Sequence, residues 1–260
     1  KDTSRGLGDV YKRQGYDNVA VGMNALLANT GGHDNVAIGN GTLDANTTGN
    51  NNTAIGRVAL GANTTGDHNL AIGQSALAGN TTGTRNTAIG YQAYSASDTE
   101  NDNLAIGYQA MVTNTAGGNQ NVAIGNYAAD ALTSADNNVV VGHNAGTAIN
   151  TGGNNVAVGH SAGEVITSGT ENVAVGFQAM RLVTTASSNV AIGNESMENN
   201  LAASNVAVGT KALRANTTGS KHTAIGHEAL LSVTDADDNT AVGYNAAKLT
   251  TGNSNTAVGA

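Results

Sequence analysis

The residues with the richest chemistry are six histidines, at positions 33, 68, 143, 160, 222 and 227. His143 and His160 stand 17 residues apart, and each follows a Val-Gly pair. If that spacing stacks them on neighbouring turns, two imidazoles come close enough to share a metal ion. No carboxylate column runs beside them, so the donor set stays incomplete. The plainer reading is an exposed corner that elsewhere holds other rings. Tyr91, Tyr108, His143, His160, Phe177, His227 and Tyr244 all occupy the same position after a repeated Gly. This column is the candidate binding surface, because exposed aromatic side chains favour association.

Two acidic clusters are the next candidates. Asp98, Glu100 and Asp102 form one, and Asp235, Asp237 and Asp238 the other. Clustered loop carboxylates can hold Ca²⁺. The glycine-rich signature of calcium-binding rolls is missing, and solvated turn charges are the preferred reading. A third candidate is a threonine column, eight residues after the repeated Gly, formed by Thr30, Thr47, Thr64, Thr81, Thr115, Thr133, Thr167, Thr184, Thr217, Thr234 and Thr251. On a flat face it would suit ice binding, although Asp98, Asn150 and Leu201 interrupt it. Asn46, Asn63, Asn80 and Asn216 begin Asn-Thr-Thr sequons, which turn chemistry also explains. Nucleophilic catalysis finds no foothold. Cysteine is absent, as are the Gly-x-Ser-x-Gly and His-Glu-x-x-His patterns. The reading is therefore a non-enzyme that needs no cofactor and no metal.

Composition agrees. The 260 residues include 35 Gly, no Pro, no Cys, no Trp and one Phe, with 3% aromatics. An enzyme core of this length normally holds more bulky rings. No apolar run approaches the roughly 18 residues that span a bilayer, so no direct membrane insertion by this segment is expected. Residues 1–14 carry four of the eleven basic residues and share no pattern with the remainder. They read as a non-native linker or disordered leader. The rest of the chain is acidic, with seven basic against seventeen acidic residues. That balance argues against nucleic acid, which is bound through Lys and Arg.

The elements that must position these side chains are set by a repeat. The unit Asn-x-Ala-(Val/Ile)-Gly recurs fifteen times, with its Gly at 17-residue spacing in eleven of fourteen intervals. Seventeen residues are too few for a helix-pair repeat. The β-branched run closed by Gly reads as a short strand. The following x-Ala-Leu-x-Ala reads as a second short strand, and Asn-Thr-Thr-Gly as a turn. Two strands and two turns make one coil, and stacked coils make a parallel β-solenoid. Residues 15–260 then form a single repeat domain of about 15 coils, an all-β fold with an open C-terminal end that reads as a fragment.

The repeated columns have structural roles. Asn35, Asn52, Asn69, Asn86, Asn103, Asn121, Asn138, Asn155, Asn172, Asn189 and Asn205 are expected to form a ladder, each amide bonding the ones above and below. In this column of fifteen, His222 is the single departure. Ala37, Ala54, Ala71, Ala88, Ala105, Ala123, Ala157, Ala174, Ala191 and Ala207 form a column of small side chains on one strand face. Val and Ile, with Thr or Leu, line the other face. Both faces look apolar, which signals burial on both sides. One coil covers only one of them. The other is expected to pack against further copies of the chain, since monomers rarely leave so long an apolar strip bare.

These motifs resemble a known family. Asn-Val-Ala-Ile-Gly, Asn-Thr-Ala-Ile-Gly and Asn-Val-Ala-Val-Gly, followed in most copies by two residues and then Ala, are similar to the head repeats of YadA-like trimeric autotransporter adhesins. Similar arrays occur in trimeric tail-fibre proteins. The resemblance covers residues 18–260. It implies a left-handed β-roll, a homotrimer, and an extracellular place on a cell surface or virion fibre, attached to a surface receptor or glycan. The family's repeat is nearer 14 residues, and its stalk, anchor and chaperone domains have no counterpart here. The expected function is a structural head or shaft of an extracellular trimeric fibre mediating adhesion. The alternatives are a phage-type tail-fibre shaft and an ice-binding β-solenoid using the Thr column.

Overall fold

The computed structural model describes residues 15–113 and 117–260. The segment 1–14, with its linker reading, and Thr115 of the threonine column lie outside them. The described residues are all-β. Fifteen strands of three residues each recur at the solenoid's 17-residue spacing. The chain divides into two units, 1–134 and 135–260. Unit 1 holds β1 (Val19–Val21), β2 (Val36–Ile38), β3 (Thr53–Ile55), β4 (Leu70–Ile72), β5 (Thr87–Ile89), β6 (Leu104–Ile106) and β7 (Val122–Ile124). Unit 2 holds β8 (Val139–Val141), β9 (Val156–Val158), β10 (Val173–Val175), β11 (Val190–Ile192), β12 (Val206–Val208), β13 (Thr223–Ile225), β14 (Thr240–Val242) and β15 (Thr256–Val258).

Within each unit every strand pairs in parallel with its sequence neighbours, like residue on like residue. Ala54 faces Ala71 in unit 1, for example, and Ala174 faces Ala191 in unit 2. A register slip would turn the Ala column outward, so the column fixes the register. The strands are short because a Gly ends each one. These glycines sit at φ between 123° and 141°, a region costly for any side chain. The coil above also presses on them. A Cβ on Gly56 would lie 2.6 Å from the carbonyl oxygen of Gly73.

The leg after the Gly corrects the sequence reading. It is not a second strand. Alternate residues adopt positive φ, as at Val58 (58°) and Leu60 (52°), and the same positions repeat from coil to coil. Two tight turns wind the leg, closed by Ala59 N–H to Gly56 C=O and Asn63 N–H to Leu60 C=O. Its remaining amides still reach other coils. Val58 N–H donates to Asn40 C=O (2.9 Å) and Leu60 N–H to Ala76 C=O (2.9 Å). Each left-handed residue costs on the order of 1 kcal/mol, and the inter-coil bonds hold it there. A leg that relies on so many N–H donors and positive φ angles has no use for Pro, which supplies neither.

The core is thin. The Ala column is fully buried, and against it lie the fourth and seventh residues after each Gly. These two positions share one volume. Leu43 goes with Asn46, Leu60 with Asn63 and Leu77 with Asn80 in unit 1. In unit 2, Gly146 goes with Ile149 and Gly163 with Ile166. A Cβ on Gly146 would lie 2.7 Å from Cδ1 of Ile149, and one on Gly163 2.9 Å from Cδ1 of Ile166. In these coils a larger residue at one position goes with a smaller one at the other, while Met180 with Val183 and Leu230 with Val233 pair two mid-sized side chains.

Two amide ladders close the coil. The first is the Asn column ahead of the strands, with a change in its bonding. The side-chain oxygen accepts chiefly from the next backbone N–H, as in Asn52 N–H to Asn35 Oδ1 (3.0 Å) and Asn172 N–H to Asn155 Oδ1 (3.0 Å). The amide nitrogen donates to a loop carbonyl 14 residues on, as from Asn35 to Gly49 (2.8 Å) and Asn155 to Gly169 (2.8 Å). Direct amide-to-amide bonds join only some rungs, such as Asn52 to Asn35 (3.1 Å). The second ladder is additional to the sequence reading. Asn46 donates to Asn29 (3.1 Å), Asn63 to Asn46 (2.9 Å) and Asn80 to Asn63 (3.0 Å). These sequon asparagines are buried, so their amides serve the fold.

Candidate functional site

The ring column forms three separate sets, one in unit 1 and two in unit 2. In unit 1, Tyr91 stacks on Tyr108 with centroids 5.2 Å apart and planes 13° from parallel. Tyr127 then meets Tyr108 edge-on at 5.4 Å. In unit 2, His143 stacks on His160 (5.3 Å, 12°) and His160 on Phe177 (5.4 Å, 24°). His227 stacks on Tyr244 (5.1 Å, 12°). The spacing is that of neighbouring strands, so the backbone ladder places the rings. Tyr91, Tyr108, His143, His160, Phe177 and Tyr244 are exposed, and His227 is half-buried. Tyr127 sits one residue later in its coil than the column, so spacing alone does not reveal it.

Stacking decides what this column presents. Within the stacked pairs the ring faces are turned to one another, which leaves mainly ring edges on these exposed residues for other contacts. Edges carry the positive end of the ring quadrupole, together with the Tyr hydroxyls and His nitrogens. The surface therefore offers hydrogen-bonding groups more than a flat platform. The His143–His160 pair is poorly arranged for a shared metal, because nitrogen lone pairs lie in two nearly parallel planes and do not converge. No group of three or more His, Cys, Asp or Glu suited to a metal occurs among the described residues.

The acidic clusters are spent on protein partners. Asp102 takes both donors of Arg85 (Nε 2.6 Å, Nη2 2.8 Å), and this pairing holds its carboxyl below the ordinary value. Glu100 is buried, and its carboxylate accepts N–H bonds from Asp98 (2.7 Å), Thr99 (3.1 Å) and Gly117 (3.1 Å). Asp237 accepts the backbone N–H (2.7 Å) and hydroxyl (3.0 Å) of Ser220, which lower its pKa. The Thr column is similarly engaged. The hydroxyls of Thr47, Thr64 and Thr217 donate to the carbonyls of Thr64 (3.0 Å), Thr81 (3.0 Å) and Thr234 (2.8 Å). A hydroxyl tied to the next coil is a poor element of a water-ordering array.

One charged cluster lies outside every motif of the sequence. Glu198 is buried between Arg181 (2.7 Å) and Arg214 (2.8 Å), with Glu195 3.1 Å from Arg214. Burial alone would raise the Glu198 carboxyl, but hydrogen bonds from Arg214 and Arg181 outweigh it and hold it below the usual range. The available signal was opposite charges one coil apart.

The remaining surface is the outer face of the strands. The Ala of each strand points inward and is buried in β2 to β14, with Val140 in its place in β8. The Val and Ile residues flanking it point outward. Ile38, Ile55, Ile192 and Ile225 are 37–40% exposed, and Val139 is 38% exposed. Both units carry this strip along their strands.

The chain matches no family model, no curated protein and no solved structure. No helix among the described residues is long and apolar enough to cross a membrane.

Proposed function

We propose that this chain is the head or shaft of an extracellular trimeric fibre that attaches to a surface or host. The carrying observation is the outward Val/Ile strip, half open along the strands of both units. A single copy leaves it wet, although apolar area removed from water contributes roughly 25 cal/mol per Å². Three copies packed by their strips would close it around a common axis. The left-handed β-roll and the trimer follow from the resemblance to the adhesin head repeats. The ring edges at the corner are the contact surface for a receptor or glycan, while the ladders and Ala column are scaffold.

The test is the native mass of the chain by light scattering. The expected value is three times the chain mass of 25.8 kDa. Ile55→Glu with Ile89→Glu should then yield monomers with an unchanged β-sheet spectrum, because both side chains point away from the core. A well-folded native monomer overturns the trimer.

A further inference from the structure

We propose that His222 is an acid-sensitive rung: protonating its ring breaks the first amide ladder and opens unit 2 locally. The argument starts from position. Residue 222 takes the place of a ladder Asn at the entrance to β13, and it is 1% exposed. Its ring copies the amide it replaces. The backbone N–H of His222 donates to Asn205 Oδ1 (2.9 Å), as a ladder Asn would. The N–H of Asn239 in the next coil donates to Nδ1 of His222 (3.2 Å), where an Oδ1 would otherwise accept. Nδ1 must therefore be unprotonated, and the proton sits on Nε2. Gly219 makes room for the ring, since a Cβ there would lie 2.5 Å from Nε2.

The mimicry works only for the neutral ring. A ladder amide donates to a loop carbonyl 14 residues on, which for His222 is that of Ala236. Nε2 is buried and turned toward this carbonyl without completing a hydrogen bond. Protonation puts a second N–H on Nδ1, facing the Asn239 N–H. Donor then meets donor, the rung is lost, and a cation is left inside. Asp237 and Asp238 of the next coil favour the cation, and Lys221 beside it opposes it. On the side of the preceding coil the backbone N–H of His222 meets the uncharged Asn205. Burial outweighs the two carboxylates and holds the imidazole below its usual 6.5. The neutral ring's contribution is therefore complete above about 6.5, where the open chain is also neutral, and falls with pH until the buried ring itself protonates.

The experiment is amide hydrogen exchange at Asn239 and Val206, corrected for the intrinsic pH dependence of exchange. The native chain is compared with His222→Asn, which restores the chain's own consensus rung. Between pH 7.5 and 5.5 the opening constant of the native chain should rise, by up to about tenfold, while that of His222→Asn stays flat. His68→Asn, at an exposed position outside the ring column, should behave as the native chain does. Carbon-detected NMR titration of the native imidazole gives an independent reading. An equal pH response in native chain and His222→Asn, or a His222 ring that titrates at 6.5 or above, overturns the proposal.

Discussion

The loop end of the coil is built differently in the two units. In unit 1, Asn29, Asn46, Asn63 and Asn80 form a buried amide ladder beneath Leu26, Leu43, Leu60 and Leu77, before Ser97 and Leu132 take that place farther along. In unit 2 the same place holds Ile149, Ile166, Val183 and Val233, and amides persist only at Asn200 and Asn216. The strand end shows no such freedom, because its Asn column runs through both units. The difference lies in what each Asn replaces. At the strand end, the side chain satisfies backbone groups on two coils, a task no apolar residue can perform. At the loop end it bonds the neighbouring amide and a carbonyl of its own loop, and Gly with Ile occupies the same space in unit 2 without those bonds.

The largest effect should come from breaking that volume exchange. Gly146→Leu puts a side chain onto Ile149 and Val140, and should destabilise unit 2 by about 3 kcal/mol or more in urea denaturation. Adding Ile149→Asn should recover most of the loss, since the amide could then reach Gly152 as Asn46 reaches Gly49. If the double variant is no better than the single one, the two positions do not share a volume. Asn63→Val comes next. It strands Asn46 Oδ1 inside unit 1 and removes one bond each from Asn80 Nδ2, which keeps Gly83 C=O, and from the Gly66 carbonyl, which keeps Asn52 Nδ2, at an expected cost of about 2 kcal/mol. Val183→Ala, the matching cut in unit 2, should cost about 1–2 kcal/mol because no polar partner is abandoned. Reversed ranking in denaturation midpoints would count against the contrast.

Smaller still is the acid response of the Arg181–Glu198–Arg214 cluster. The folded-state pKa of Glu198 is depressed, so its contribution is present above the ordinary value of 4.5 and lost as pH falls toward the folded one. Glu198→Gln should flatten that part of the stability profile and lower stability at pH 7. An unchanged profile would show the pairs to be energetically idle. Thr64→Val removes one hydroxyl bond to the Thr81 carbonyl and should cost about 0.5–1 kcal/mol in the same assay.

The strand end was legible in the sequence and the loop end was not, for a physical reason. Asn-x-Ala-(Val/Ile)-Gly states its structure in residue types: a branched pair for the strand, a small residue for the tight face and a Gly for positive φ. The next leg states nothing comparable. Leu60 and Val58 hold left-handed angles that neither favours by itself, and the stacked coils impose them. Gly146 and Gly163 were the visible hints, because they hold the same conformation without strain. Asn46 and its equivalents were hidden behind their likeness to sequons and turns. The ring column could be located because identical spacing forces identical placement. Its division into stacked sets, and Tyr127 joining from an adjacent position, depended on ring orientation, which spacing does not encode.

The exchange between the fourth and seventh positions has a consequence for heredity. The two residues that must agree in size lie three codons apart, whereas equivalent places in successive coils usually lie seventeen codons apart. Unequal crossing-over between repeats adds or deletes whole coils and seldom cuts inside so short a stretch. Each coil therefore carries its own filling with it when the gene grows or contracts, and a lineage can change the number of coils without having to rediscover a compatible core.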